Sequence, residues 1–423
     1  MAGNYLIIGN GIAGHAAALA IHGADREGEI TILAKEAWPT YSRILLTHYL
    51  RDGEGEKNIF LTDRDELAAA RIRVLYNAVA CEVDYAARVV TTTAQEHYPY
   101  DRLLVAAGAD PVRLELPGGE LSGVNVLRTL DDARGIAASI KPGGDACIVG
   151  AGLISLKVSE ALVKRGMRIR LVVSSHRLLS TIMDAESGFV LEKHLHAAGF
   201  AIEYGADIHA FTSTAGWVAG AALADGREIP CDLAVIGKGV RPNLGMLTGT
   251  GLENATALEV NAHLETEMPG IFAAGDVASA YDFIWGDNRV NAIWPLAAAQ
   301  GRLAGLNMAG VTRPYAGGTA MNSFKLFGLP VVSMGVTGTD KLGGEALTAG
   351  SSKFYRRLVF RNDCLIGMVT IGSPEAAGVF YWLMSKRVPC RDLAAEMLRP
   401  EFSYGSLLRG NLTGLNGGMA HAG

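Results

Sequence analysis

The order of apolar and polar positions predicts a chain of alternating strands and helices. Tyr5-Leu6-Ile7-Ile8 is a short uninterrupted apolar run, the pattern of a parallel strand buried on both faces. It passes through Gly9-Asn10-Gly11-Ile12-Ala13-Gly14 into Ala16 to Ile21, an Ala-rich stretch that reads as helix. A second run, Ile30-Thr31-Ile32-Leu33, completes a βαβ unit. Further on, Asp65 to Ala70 predicts a helix, and Val74, Val79 to Val83 and Arg88 to Thr93 predict short strands. Tyr100 to Ala109 is an apolar strand ending in small residues, and Pro111 to Gly119 reads as a linker.

The design then recurs. Asp145 to Val149 leads through Gly150-Ala151-Gly152-Leu153-Ile154-Ser155 into a helix predicted over Leu156 to Arg165, and Arg168 to Val173 is the next strand. Leu233 to Asn243 reads as a strand leaving this second unit, and Ile271 to Val277 as another that ends at Gly275-Asp276. Trp294 to Gly310 predicts a helix with Pro295 in its first turn. From about Gly317 to residue 407 strand and helix are mixed. The expected fold is α/β, with two Rossmann-like dinucleotide-binding domains and a small α+β C-terminal domain. The tail from Gly410 has five glycines and little to bury, so it is expected to be mobile unless a partner orders it.

Each glycine of the first motif has a mechanical role. Gly9 allows the tight turn, Gly11 lets a pyrophosphate approach the backbone, and Gly14 lets helix and strand pack closely. The helix N-terminus offers free N–H groups and the positive end of its dipole to phosphates. Glu36 lies 22 residues past Gly14, about where a ribose-binding carboxylate is expected. In the second copy Ser155 replaces the third glycine, and a small side chain still permits close packing.

A length of 423 residues suits two or three domains. The net charge of −5, without a basic stripe, speaks against nucleic acid or an anionic membrane as a partner. Cysteines occur only at positions 81, 147, 231, 364 and 390, so no zinc, iron–sulfur or CxxC spacing is present and no metal ligands are assigned. Scattered single cysteines suit a reducing compartment, and no apolar run reaches the length of a membrane span. The absence of a charged, cleavable leader pattern adds to an expected cytoplasmic location.

In order along the chain, Gly9 to Gly14, Ala106-Ala107-Gly108, Gly150 to Ser155, Gly239-Val240-Arg241-Pro242-Asn243 and Ala274-Gly275-Asp276 resemble the motifs of the pyridine nucleotide–disulfide oxidoreductases. These are flavoproteins with two dinucleotide-binding domains. Tyr41-Ser42-Arg43-Ile44-Leu45-Leu46 and Trp294 to Gly301 are similar to the branch of NADH-dependent rubredoxin reductases and nitrite reductase flavin subunits. The resemblance implies FAD in a split domain, residues 1–115 and 249–318, and NAD(P)H in an inserted domain, residues 116–248. A C-terminal interface domain, residues 319–423, would follow.

Carried over by position, Gly9, Gly11, Ile12, Ala13 and Gly14 would cradle the FAD pyrophosphate, and Glu36 the adenosine ribose. Arg43 would lie along the phosphates or ring, Val79 would bind adenine through its backbone, and Ala107 and Gly108 would run beside the cofactor. Asp276 would take the ribityl or pyrophosphate portion. The helix near Pro295 would aim its positive end at the flavin ring, with Trp294 at the ring edge. Gly150, Gly152, Leu153, Ile154 and Ser155 would form the NAD cradle, with Gly239 on the strand that leaves it.

Several positions depart from the family pattern. Disulfide reductases carry redox cysteines after the first βαβ unit, and Tyr41 to Leu50 has none, so dithiol chemistry is not expected. Cys81 is expected to be buried and inert. Lys157 stands where relatives often have a Glu near the nicotinamide, which alters that contact; Lys157 and Trp294 are candidates for ring positioning only. Val173 to Arg177 lacks the acid that grips a free ribose 2′-OH, and His176 and Arg177 either accept a 2′-phosphate or face solvent. The branch resemblance keeps NAD ahead, with NADP open. His194 and His196, two apart on a probable helix, make a poor metal pair.

The resemblance implies hydride transfer between nicotinamide and flavin, and electron transfer to or from an iron–sulfur partner protein. The cofactor carries that chemistry, so no catalytic side chain is assigned. The length and domain set are similar to the FAD subunits that accompany tungsten aldehyde oxidoreductases, which would make this chain the NAD+-reducing subunit of a multi-subunit complex. The alternatives are a free-standing rubredoxin or ferredoxin reductase, an NAD(P)H oxidase, or a non-catalytic flavin-binding scaffold or redox sensor. The second dinucleotide motif argues against a scaffold. Phe324 to Phe327 and Phe380-Tyr381-Trp382 either face the partner or fill the core.

Overall fold

The computed structural model describes residues 3–409, apart from residues 54, 249, 251, 253, 254, 339–341, 352 and 353. The glycine-rich tail from Gly410 lies outside the described residues. The chain forms two compact units. The first comprises Met1–Leu114, Val126–Ala138 and Lys238–Gly318, and the second Glu115–Asn125, Ser139–Gly237 and the chain from Thr319 onward.

The first unit is built on a five-stranded parallel sheet in the order Ile271–Ala273, Arg102–Val105, Asn4–Ile8, Glu29–Ala34, Ile72–Tyr76. Ile7 sits between Ile32 and Leu104 in register, and all three are fully buried. Burial on both faces is why the inner strands Asn4–Ile8 and Arg102–Val105 read as largely apolar runs, whereas the edge strand Ile72–Tyr76 is half-buried. The first glycine helix, Ile12–Ala24, packs against the helix Trp294–Met308 through small residues. A Cβ added to Gly301 would clash with the Ala13 carbonyl, and one added to Gly305 with the Ala17 carbonyl. The two helices thus meet backbone to backbone, one turn after another, which only Gly and Ala permit.

Tyr41 to Leu50 contains more structure than its sequence pattern shows, a short 3-10 turn at Arg43–Leu45 and a helix at Leu46–Asp52. The helix predicted from Asp65 runs over Arg64–Ala69, started by a reciprocal capping box between Asp63 and Glu66.

The second unit holds the second glycine fold, a five-stranded sheet ordered Ala201–Tyr204, Arg168–Val173, Asp145–Val149, Leu233–Ile236, Val124–Val126. It also holds a five-stranded antiparallel sheet ordered Met321–Leu326, Leu329–Gly335, Cys364–Ile371, Tyr355–Arg361, Glu345–Gly350, with the helix Ala377–Ser385. Arg356 is fully buried there and donates to the carbonyls of Met397, Arg399 and Ser373, tying the C-terminal segment onto the sheet. Burial lowers its pKa to about 10. Phe380 is core, stacked on Phe402, while Tyr381 and Trp382 are half-buried. Among the described residues no helix is long and apolar enough to cross a membrane.

Candidate functional site

The first glycine turn divides its three glycines between packing and open space. Gly9 has φ +109, and a Cβ there would collide with the Ala106 backbone. A Cβ on Gly14 would collide with the Gly9 carbonyl and come within 3.1 Å of Ile7 Cγ2. A Cβ on Gly11 would meet nothing within 4 Å. Gly11 is also the N-cap of the helix that starts at Ile12, and no side chain caps that end. Two glycines are therefore demanded by the chain itself, and the third leaves free N–H groups facing open space. That arrangement fits an anionic pyrophosphate. Ile12 is half-buried beside it, and Ala13 is buried under it.

Next to the turn, the first unit gathers charged side chains from four stretches of sequence. Glu36 accepts from Arg43 Nη2 at 2.6 Å and from the Tyr41 hydroxyl at 2.6 Å. Arg43 Nη1 donates to the carbonyl of Arg128 at 2.6 Å. Arg128 Nη2 donates to Asp276 Oδ2 at 2.8 Å and lies 3.3 Å from where a Cβ on Gly108 would stand. Burial holds the Tyr41 phenol well above its ordinary pKa, so it stays a donor to Glu36.

The sequence assigns no role to Arg128, and Tyr41 and Gln300 stand there only as members of the motifs Tyr41 to Leu46 and Trp294 to Gly301. Arg128 belongs to Val126–Ala138, a segment taken from between the two glycine folds and laid on the first unit. Thr129 and Asp132 exchange hydrogen bonds to start the helix Leu130–Ala138. Leu130 N–H then donates to the Tyr41 oxygen, and Arg134 pairs with Glu56 at 2.6 Å. That Thr-x-x-Asp cap was the local signal available, and it marks a helix start, not a site. Gln300, 3% exposed, accepts from Gly275 N–H at 2.9 Å and so orients the loop that carries Asp276.

The remaining positions fall as follows. Val79 is half-buried, and its carbonyl accepts from Thr93 N–H. The Ala107 carbonyl accepts from Asn243 Nδ2 at 3.1 Å. Trp294 and the exposed Pro295 open their helix, again without a side-chain cap. Gly239, at φ +93, is exposed in the first unit.

The second cradle repeats the first. Gly150 has φ +103, and a Cβ there would collide with the Gly237 carbonyl. Gly152 opens on empty space and N-caps the helix Leu153–Lys164 without a side-chain cap. Leu153 is half-buried, and Ile154 is exposed. Ser155 is buried, its hydroxyl has no hydrogen-bond partner, and a Cβ on Gly237 would strike it. Residue 237 must therefore be glycine opposite this serine. Lys157 pairs with Glu160 and donates to the Lys325 carbonyl at 2.9 Å. His176 and Arg177 are exposed beyond the strand Arg168–Val173, and Arg177 reaches the Ser180 carbonyl. His194 and His196 meet different carbonyls, those of Phe327 and Phe200.

All five cysteines are free thiols. Folding does bring two of them together. Cys231, within hydrogen-bond reach, and burial push the Cys147 thiol well above its ordinary pKa. Cys81 is half-buried, not buried, and its thiol donates to the Thr91 carbonyl.

The chain matches the family described as pyridine nucleotide-disulphide oxidoreductase over residues 3–301. It is 32% identical, across 95% of its own length and 96% of the relative's, to the NADH-dependent phenylglyoxylate dehydrogenase subunit epsilon of Aromatoleum evansii. It is 28% identical to the rubredoxin-NAD(+) reductase of Pseudomonas putida, over 66% of this chain and 73% of that one. Among solved structures it is similar to a ferredoxin reductase from Rhodopseudomonas palustris, with a TM-score of 0.85 at 24% identity, covering 94% of this chain and 98% of that one. The family match runs through both glycine cradles and the Asp276 loop, so the chain belongs to the pyridine nucleotide-disulphide oxidoreductases, as an FAD-dependent enzyme that passes electrons between NAD(H) and a redox partner.

Proposed function

We propose that the chain is the FAD- and NAD-binding subunit of a larger oxidoreductase and exchanges electrons with an iron–sulfur partner. The observation that carries this reading is the likeness, over nearly the whole of both chains, to a relative that is named as a subunit. The substrate of the assembled enzyme would be a carbonyl compound, an aldehyde or a 2-oxo acid, with NAD+ as the acceptor. A free-standing reductase of rubredoxin or ferredoxin is the second reading, supported by the relative named rubredoxin-NAD(+) reductase. Free, scattered thiols support a cytoplasmic location.

The uncapped N–H groups at Gly11 to Gly14 would hold the FAD pyrophosphate, and Glu36 the adenosine ribose, with Val79 at the adenine. Arg43 and Arg128 would supply the positive charge beside the phosphates, as charge-assisted donors, with Ala107, Gly108 and Asp276 alongside. The Glu36–Arg43 and Arg128–Asp276 pairs hold all four side chains in place before any ligand arrives. The helix from Trp294 would face the ring with its positive end. Gly150 to Ser155 would seat the nicotinamide dinucleotide. FAD, when bound, supplies two-electron exchange with nicotinamide and single-electron exchange with an iron–sulfur centre. Residues 1–115 with 249–318, 116–248 and 319–423 would serve as FAD, NAD and interface domains.

Two experiments test the proposal. The first is anaerobic stopped-flow reduction of the FAD-loaded chain. NADH should bleach the flavin, and NADPH should do so more slowly but measurably, because no acid follows Val173 to repel a 2′-phosphate. No bleaching by either nucleotide would end the enzymatic reading. The second is purification of the untagged native protein. A stoichiometric iron–sulfur subunit should travel with it, and recovery of the chain alone would favour the free-standing reductase.

A further inference from the structure

The turn joining the strands Met321–Leu326 and Leu329–Gly335 is gripped from several sides. Phe327 has φ +46, a left-handed backbone that a bulky residue adopts only at a cost, and Gly328 follows at φ +86. Glycine or asparagine would take residue 327 freely, so the sequence has accepted strain to place an aromatic ring there. The ring meets Phe200 edge-on, with centroids 5.5 Å apart. The Phe327 N–H donates to Glu160 Oε1 at 2.8 Å, and its carbonyl oxygen lies 3.3 Å from His194 Nε2. Two residues earlier, the Lys325 carbonyl accepts from Lys157.

Lys157 and Glu160 are ion-paired one turn apart on the helix Leu153–Lys164, with side chains only 17% and 8% exposed. This is the helix whose N-terminus forms the second cradle. Its N–H groups stabilise a dinucleotide only when they are aimed at the phosphates, and the turn holds the helix by its flank, within about two turns of that end.

We propose that the Lys325–Gly328 turn positions the second glycine helix, so that the C-terminal sheet sets the affinity for the nicotinamide dinucleotide without touching it. The Phe327 ring, packed on Phe200, fixes the turn whose Phe327 N–H and Lys325 carbonyl hold Glu160 and Lys157, so Phe327 is the positioning residue. The inference rests on the assignment of the second cradle to NAD(H). The turn lowers the ordering cost that the ligand would otherwise meet on binding. Coupling is reciprocal, so a bound dinucleotide must in turn steady the Met321–Gly335 hairpin.

The test uses the full FAD-loaded chain with Phe327→Gly, which removes the ring but suits the backbone, and Phe327→Tyr, which keeps the ring. Titration should show Phe327→Gly binding NAD+ about fivefold or more weakly. KM for NADH should rise in parallel, with kcat at saturation and the flavin absorbance spectrum unchanged, and Phe327→Tyr should behave as wild type. Hydrogen exchange should show NAD+ protecting both Leu153–Lys164 and Met321–Gly335 in the wild type, but only the former in Phe327→Gly. Unchanged NAD+ affinity in Phe327→Gly, or equal protection of the hairpin in both proteins, would overturn the proposal alone. A wild-type chain in which neither NAD+ nor NADH protects Leu153–Lys164 would overturn the cradle assignment and the proposal together.

Discussion

Arg128 Nη2 donates to Asp276 Oδ2 at 2.8 Å, joining a segment that comes between the two glycine motifs in sequence to the strand end that closes the first sheet. Neither residue is more than 23% exposed. Replacing Arg128 with Met leaves Asp276 without its cation and removes a donor beside Gly108. Charge-assisted bonds of this kind contribute about 1.5–3 kcal/mol. Arg128→Met should therefore lose most of its FAD on desalting while the apoprotein stays folded. Flavin content equal to wild type would remove Arg128 from the site.

The glycines of the first motif should fail in different ways. Gly11→Val places its side chain in open space, so the apoprotein should keep its melting temperature and lose FAD binding. Gly14→Val drives a side chain into the Gly9 carbonyl and Ile7, so it should yield little folded protein. Circular dichroism and flavin retention on the two variants, measured side by side, check this. Equal melting temperatures would contradict the division of roles.

The seam between the helices Ile12–Ala24 and Trp294–Met308 leaves no room for a methyl group at residue 301. Gly301→Ala should cost about 1–3 kcal/mol, the usual penalty of overpacking. Thermal melting of the apoprotein reads this directly. A neutral or stabilising effect, as expected for alanine on an open helix face, would show that the helices separate easily.

His15, 9% exposed behind the first cradle, has its pKa lowered from the ordinary 6.5, chiefly by burial. The folded state therefore favours the neutral ring, and unfolding takes up a proton. Its contribution to stability is complete above the unfolded pKa and is lost as pH falls through 6.5 toward the lower folded value. Wild type should lose stability between about pH 7 and pH 5 more steeply than His15→Gln. Parallel melting-temperature profiles for the two proteins would show that His15 is not the group responsible.

The glycine turns were legible in the sequence because their backbone conformation, a positive φ at Gly9 and Gly150 and a close approach of Gly14 to Gly9, is set within a few residues. The absence of a cysteine from Tyr41 to Leu50 was equally plain. The helix Leu46–Asp52 was less visible, because its apolar residues face a partner that periodicity does not reveal.

By itself, then, the sequence determined the two dinucleotide folds, their order and the lack of a dithiol, all of which rest on local backbone geometry or on simple presence. Tertiary structure alone decided that Arg128 meets Asp276, that Gly301 and Gly305 face Ala13 and Ala17, and that the Phe327 ring packs on Phe200 while its N–H meets Glu160. Those pairings join residues far apart in the chain, and a charge, a small residue or an aromatic ring carries no mark of its partner until packing brings the two within a few ångströms.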